Sequence, residues 1–317
     1  MCHNAPMEKG DDPDAGDWRQ LTRLAAKQAA YSEDLYFRES WPEAVAELGD
    51  ALASTLHRVT VLAMKPDAIV GRRSRPALDY LVEHGFQPLT ARLCTLDRHA
   101  MREIWRYDWN VYTSDRLIFS SLWYVSTPML FFVLLDPTAG PGTVPASVRL
   151  GALKGLADPQ RRNPAHLRTQ LRPPNRILNF VHVTDEPADL VREVGILWDR
   201  PERLEFWAEI QRLLDAGTLD PEVDQLIEAV ESRYPEHDLD FDQALRRLAD
   251  LGLTAAAEDR LRQATADGNH LHWAELVALL PESAERWDVI TVASTVLEYE
   301  RAGVTGLLPG VTPADWA

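Results

Sequence analysis

His182 and Glu193 stand eleven residues apart in the stretch NFVHVTDEPADLVREVGIL. His182 follows the apolar pair Phe180 and Val181 and precedes a polar turn, which puts its imidazole at the rim of a core. A partner on one imidazole nitrogen fixes the tautomer and leaves the other nitrogen free as a nucleophile. Glu193, in the helix expected next, with Arg192 beside it and Leu190, Val194 and Leu197 around it, is placed to be that partner. A histidine taken alone in such a place reads equally well as a packed, hydrogen-bonded core side chain. The second stretch is VTVLAMKPDAI, where an apolar run stops abruptly at Lys65, Pro66 and Asp67. Pro66 has no N–H to give a sheet ladder, so Lys65 falls at the end of a strand. An ammonium there is either a solvated strand end or a phosphate contact at the carboxyl edge of a sheet, where α/β proteins bind ligands. Between Ala157 and Asn175 a third feature, Arg161, Arg162, Arg168 and Arg172 among prolines, concentrates positive charge in an acidic chain.

The elements that must position these residues alternate from Arg58 onwards. VTVLAM is a β-branched, apolar strand; a helix from about Arg75 follows, with Pro76 at its start and Gly85 as its stop. FQPLTARLCTL is a second strand and DRHAMREIWRY a helix capped by Asp97. A further helix begins near Ser114, and Met129 to Leu135 (MLFFVLL) is a strand buried on both faces. After the loop DPTAGPGTVP and the arginine-rich stretch, an apolar segment ends at His182, and Asp185, Glu186 and Pro187 announce a helix. Before residue 58, residues 1 to about 16 have little to bury and read as a mobile arm, and the pattern is helical from Trp18. Ser40 and Glu43 form a capping-box pattern for a helix expected to run to about His57, with Pro42 in its first turn. After Asp199 only helical spacing remains. Three parts are expected: 1–57, an arm and N-terminal helices; 58–200, an α/β sandwich; and 201–317, an all-helical domain.

KPDAI, with Gly85 and Phe86 twenty residues beyond Lys65, and NFVHVTD followed by REVGI resemble the two signature stretches of nucleoside diphosphate kinases. The resemblance covers about residues 58–200. It implies a ferredoxin-like α/β sandwich and a ping-pong transfer in which His182 takes the γ-phosphate of ATP or GTP and passes it to a nucleoside diphosphate or a specialised small acceptor. It makes Glu193 the support of His182, Lys65 and Arg168 phosphate contacts, and Asn179 a sugar or phosphate contact, with Mg²⁺ bridging the phosphates rather than held by the protein. Thr184 stands for the family's serine, with a hydroxyl able to bond Glu193, and Val183 for the glycine before it. Elsewhere the match departs: Ala157 in LKGLADP replaces a phosphate-loop threonine, and the family's second phosphate arginine falls near Gly151, leaving Arg149 or Lys154 as substitutes. The base-stacking phenylalanine falls near Arg116, with Phe119 the nearest aromatic, and Tyr107 or Trp105 stands where the family has its tyrosine. The chemistry is kept while the nucleotide grip is altered, so a binding module without turnover, or an interaction role for the acidic C-terminal helices, stands beside the phosphotransferase reading.

Composition bounds these readings. With 317 residues, 45% of them hydrophobic, and 10 Trp, the chain has ample core material. A formal charge of −16 disfavours nucleic acid but allows a local pocket for a small phosphate. No membrane span or export signal is legible, so a cytoplasmic protein is expected. Cys2 and Cys94 read as ordinary thiols. Tyr80, Trp123 and Trp198 read as core, His270 and His272 are too few for a metal, and Asp238 to Asp242 read as a solvated helix start. Helices on both flanks would obstruct hexameric packing, so a smaller homo-oligomer is expected.

Overall fold

The computed structural model describes residues 12–217, 222–266, 268 and 270–317. Residues 1–11, the greater part of the expected arm, and with them Cys2, lie outside the described residues. Four helices precede the sheet: α1 (Ala15–Leu21), α2 (Ala25–Tyr31), α3 (Leu35–Leu48) and α4 (Leu52–Arg58). The helix expected to open at Ser40 instead begins at Leu35, because Asp34 caps it by accepting from the N–H groups of Tyr36 and Phe37 at 3.1 Å each. Ser40 and Glu43 are buried inside α3, and Pro42 lies within it rather than in its first turn. Glu43 spends its carboxylate on Arg203, at 2.6 and 2.9 Å, so it is not available to a cap.

The chain then runs β1 (Val59–Met64), α5 (Pro66–Val70), α6 (Ser74–Glu83), β2 (Gln87–Cys94), α7 (Arg98–Ile104), α8 (Ser114–Trp123) and β3 (Met129–Leu135). Next come α9 (Ala146–Lys154), α10 (Leu167–Leu171), β4 (Val181–Val183) and α11 (Pro187–Leu197). The strands form one antiparallel sheet in the order β2-β3-β1-β4, the ferredoxin-like order of an α/β sandwich. β1 and β3 are buried along their whole length because both faces are covered, and they pair from Val59 opposite Leu135 to Met64 opposite Leu130. β4 is a three-residue edge strand whose His182 lies opposite Ala63 of β1.

Among the described residues that follow, the elements are helices: α12 (Arg200–Ala216), α13 (Val223–Arg233), α14 (Phe241–Asp250), α15 (Ala255–Ala266), α16 (Trp273–Leu279) and α17 (Arg286–Val296). They share their apolar core with the sheet and its helices. Phe206 of α12 stacks on Trp198 at 5.0 Å, which in turn meets Phe131 of β3 edge-on at 6.2 Å. The last twenty residues cross back over the region between α7 and α8 and carry near their end Trp316, which is buried and donates to Glu186 at 3.1 Å.

Candidate active site

Pairing of β4 with β1 brings the two sequence stretches together. One residue beyond β1, the Lys65 N–H donates to the Phe180 carbonyl at 2.8 Å, and the Phe180 N–H donates to Asp67 Oδ2 at 2.8 Å. Phe180 has φ +71, a conformation a bulky residue adopts only when its surroundings impose it. Lys-Pro-Asp is therefore a latch: its first and third residues hold the strained backbone two positions before His182, while its proline opens α5.

His182 Nε2 lies 2.8 Å from Glu193 Oε1, and the edge of the Trp105 ring packs against the imidazole at 5.2 Å. With Nε2 committed to a carboxylate, it carries the proton and Nδ1 keeps its lone pair. Glu193 is buried, and its Oε2 has no hydrogen-bond partner. The helix that carries it is fixed from outside. Arg192 donates to Asp34 at 2.8 Å and to the Glu103 carbonyl at 2.9 Å, and Asp189 receives Lys27 at 2.6 Å. The N-terminal helices thus set the position of Glu193.

Around the histidine lies a cradle of cations. Lys65 is 4% exposed; its ammonium donates to Asn179 Oδ1 at 2.6 Å and sits over the Trp123 ring at 4.7 Å. Arg168 donates to the Gly155 carbonyl, Asn179 Oδ1 and the Val181 carbonyl at 2.8, 3.2 and 2.9 Å, while its Nε is buried without a partner. Burial pulls the Lys65 ammonium down to about 7; Asp67 opposes the fall, and Arg168, Arg116 and Lys154 add to it. Lys154 is lowered to about 8, also first by burial. Asp185, 3.8 Å from the Lys154 ammonium, opposes the fall there as Asp67 does at Lys65. Lys65, Arg116, Arg168, Arg176, Asn179 and His182 share a cavity of about 150 Å³ with Asp108 and Glu300. A second cavity of about 310 Å³ meets the first at His182 and Arg168, and Tyr107, Lys154, Asp185 and Glu193 line it.

Lys65, Arg168, Asn179, His182 and Glu193 are thus brought together, with Lys154 and Tyr107 in the adjoining cavity. The Tyr107 hydroxyl donates to Asp34 at 3.3 Å. Arg149 lies elsewhere: it pairs with Asp136 at 2.5 Å, beyond the end of β3 and far along the sheet from Lys65. Thr184 is buried with its hydroxyl 3.0 Å from that of Thr60, so that hydroxyl meets β1 and not Glu193. Phe119 is core, stacked on Trp123, and Ala157 lines the first cavity. Sequence reading gave no role to Asp67, Arg176, Tyr112 or Glu300, and it took Trp123 for core alone. The Lys-Pro-Asp triplet was the signal for Asp67; Glu300 is brought in from 118 positions beyond His182, and no spacing rule points to it.

Among the described residues, no group of three or more His, Cys, Asp or Glu is arranged to hold a metal ion, and no helix is long and apolar enough to cross a membrane. No family model matches the chain, and no curated relative matches it. Solved structures of similar fold include the Aquifex aeolicus nucleoside diphosphate kinase, 20% identical, which matches over 46% of this chain and 97% of its own at a TM-score of 0.37. A nucleoside diphosphate kinase family protein from Babesia bovis is 17% identical, over 46% and 90%, at 0.35. The halophilic enzyme from Halobacterium salinarum, solved with CDP, is 18% identical over the same shares, at 0.37.

Proposed function

We propose that this chain is a phosphotransferase that carries the γ-phosphoryl group of a nucleoside triphosphate on His182. The observation that carries the reading is the 2.8 Å contact of His182 Nε2 with buried Glu193, at a cavity that Lys65, Arg168 and Asn179 also line. The sequence resemblance in the Lys65 and His182 stretches supports it. In the first half, the Nδ1 lone pair of His182 forms a bond to the γ-phosphorus as the bond to the β–γ bridging oxygen breaks, and the nucleoside diphosphate leaves with that electron pair. Glu193 holds the Nε2 proton and offsets the positive charge that the ring acquires. In the second half an acceptor phosphate oxygen attacks the phosphorus, and the N–P bond electrons return to Nδ1. Lys65 and Arg168 meet the phosphate oxygens, and Asn179 orients both cations through one carbonyl. Among the charged residues of the cavity wall Lys65, Arg116, Arg168 and Arg176 outnumber Asp108 and Glu300, so Mg²⁺ would be held through the nucleotide and would supply neutralisation of its phosphate charge.

A second reading rests on Ala157, which removes a hydroxyl from the loop beside the cavity, and on Arg116 in place of a base-stacking ring. In it the chain binds a nucleotide without turning it over. One experiment separates the two: incubate the protein with Mg²⁺ and γ-labelled ATP or GTP, and look for acid-labile, base-stable label. Wild type is expected to label and His182→Ala to remain blank. An unlabelled wild type that still binds nucleotide would establish the binding module instead.

A further inference from the structure

Two arginines of the first cavity turn their guanidinium groups away from Asn179 and His182, although the Arg176 backbone carbonyl accepts from Asn179 Nδ2 at 2.9 Å. Arg176 Nη2 donates to Glu300 Oε1 at 2.6 Å, and Arg116 Nη1 approaches the same oxygen at 3.5 Å, its guanidinium lying over the Tyr112 ring at 3.3 Å. Glu300 arrives on the strap that follows α17, and it is the one residue of that strap on this cavity wall. We propose that Arg116 and Arg176 form an anion subsite, continuous with the Lys65 and Arg168 cradle, which Glu300 fills until a polyphosphate displaces it.

Three observations converge on this. The first is charge: Lys65, Arg116, Arg168 and Arg176 face only Asp108 and Glu300 across the cavity. One of the two carboxylates therefore sits where a polyanion would be drawn, and it accepts from a guanidinium as a phosphate oxygen would. The second is size. The cavity holds about 150 Å³, enough for a phosphoryl group but below the roughly 300 Å³ at which ligand pockets begin. Glu300 takes up part of the space between Arg116 and Arg176, so a polyphosphate that reaches both guanidinium groups must displace it. The third is how the strap is held. It is anchored at its far end by buried Trp316, but its middle is exposed, with Leu307 at 61%. The strap is tied to one segment, residues 107–113: Arg301 N–H donates to the Val111 carbonyl at 2.7 Å, Leu307 N–H to the Tyr107 carbonyl at 2.9 Å, the Thr113 N–H and hydroxyl to the Tyr299 and Glu298 carbonyls at 3.3 and 2.6 Å, and Asn110 Nδ2 to the Thr305 carbonyl at 2.6 Å. A segment with few apolar contacts and exposed hydrogen bonds opens at low cost.

The subsite rests on the reading of the cradle as a phosphate site, so its test uses a probe that needs no catalysis. Tripolyphosphate binding is measured by calorimetry on the full chain, and hydrogen exchange of residues 298–308 is followed with and without the anion. Glu300→Gln is expected to bind about three- to fivefold tighter than wild type, the effect of removing one competing carboxylate from a partly exposed pair. Arg176→Gln is expected to bind roughly tenfold more weakly, as for a lost charge-assisted bond. In wild type the strap is expected to lose protection as the anion binds. Equal affinity for wild type and Glu300→Gln, a strap whose protection does not change, or no tripolyphosphate binding to Glu300→Gln would each overturn the subsite. Label transfer from ATP to His182 is read in the same variant: its absence with tripolyphosphate binding intact would remove the phosphotransferase reading and leave the subsite standing.

Discussion

Lys65 must be both buried and charged if it is to meet phosphate, and its depressed pKa of about 7 makes these demands conflict at neutral pH. In the free protein the ammonium is lost as pH rises through about 7, whereas a bound polyphosphate favours the charged form. Binding above that pH must therefore take up a proton. Polyphosphate affinity is expected to rise as pH falls from about 9 and to level off once pH is below about 7, by at most tenfold per pH unit for one group. Calorimetry at pH 8 in two buffers of different ionisation enthalpy would detect the uptake, and identical apparent enthalpies would contradict it. Glu193→Gln tests the other half of the site. The amide keeps the size but loses the charge opposite the ring, so phosphohistidine formation in a single turnover should slow by roughly 10–100-fold, the range for removing the partner that orients a functional histidine. Nucleotide affinity should hardly change. At this scale the positions of Lys65, His182 and Glu193 were legible because strand ends and helix spacing place them, whereas Arg168 and Asn179 were singled out only through the family resemblance. Arg149 was mislocated because α9 is long enough to carry its first turn to the opposite end of the sheet, while Lys154 in its last turn reaches the second cavity.

The elements that hold the site were legible where one force dominated. β1 and β3 are apolar throughout because they are buried on both faces, and both were readable to within a residue. β4 was read only as an apolar segment ending at His182, since three residues are too few to show a period, and its place is set by pairing with β1. The start of α3 was misread because two cap patterns compete within six residues and the tertiary pairing of Glu43 with Arg203 decided between them. Gly195 shows how closely the resulting helices approach. A Cβ there would lie 2.2 Å from the Tyr36 carbonyl oxygen of α3, which is backbone and cannot swing away. Gly195→Ala must push α11 off α3, and α11 carries Glu193 two residues earlier. The substitution is expected to cost about 1–3 kcal/mol, in the range of overpacked cores, seen as a lower Tm. The protein that remains folded should also form phosphohistidine more slowly than wild type. An unchanged Tm would mean that the two helices separate without strain.

At the scale of the whole molecule the question is whether residues 58–200, the middle one of the three parts expected from the sequence, can stand without the other two. The packing argues for dependence. On one side α11 is held by Asp34, Lys27 and the buried Trp316, elements that come from before and after this unit. On another, α12 places Phe206, Trp207 and Ile210, all fully buried, with Phe206 stacked on Trp198, while its Glu209 accepts from Arg92 of β2 at 2.6 Å and its Arg203 grips Glu43. Cutting the chain after residue 200 removes that cover and leaves Trp198 and Phe131 facing water beside an unpaired Glu43. Apolar burial of the Phe206 and Trp207 side chains alone is worth several kcal/mol, a large part of the 5–15 kcal/mol by which domains are stable. It follows that a 1–200 fragment is expected to be insoluble, or to lack a cooperative thermal transition in circular dichroism, and to form no phosphohistidine. A soluble, labelling-competent fragment would show that the C-terminal helices act on something other than the stability of the site. The cavity walls favour the first outcome, because Glu300, Leu308 and Gly310 lie beside His182 and are lost with the same cut.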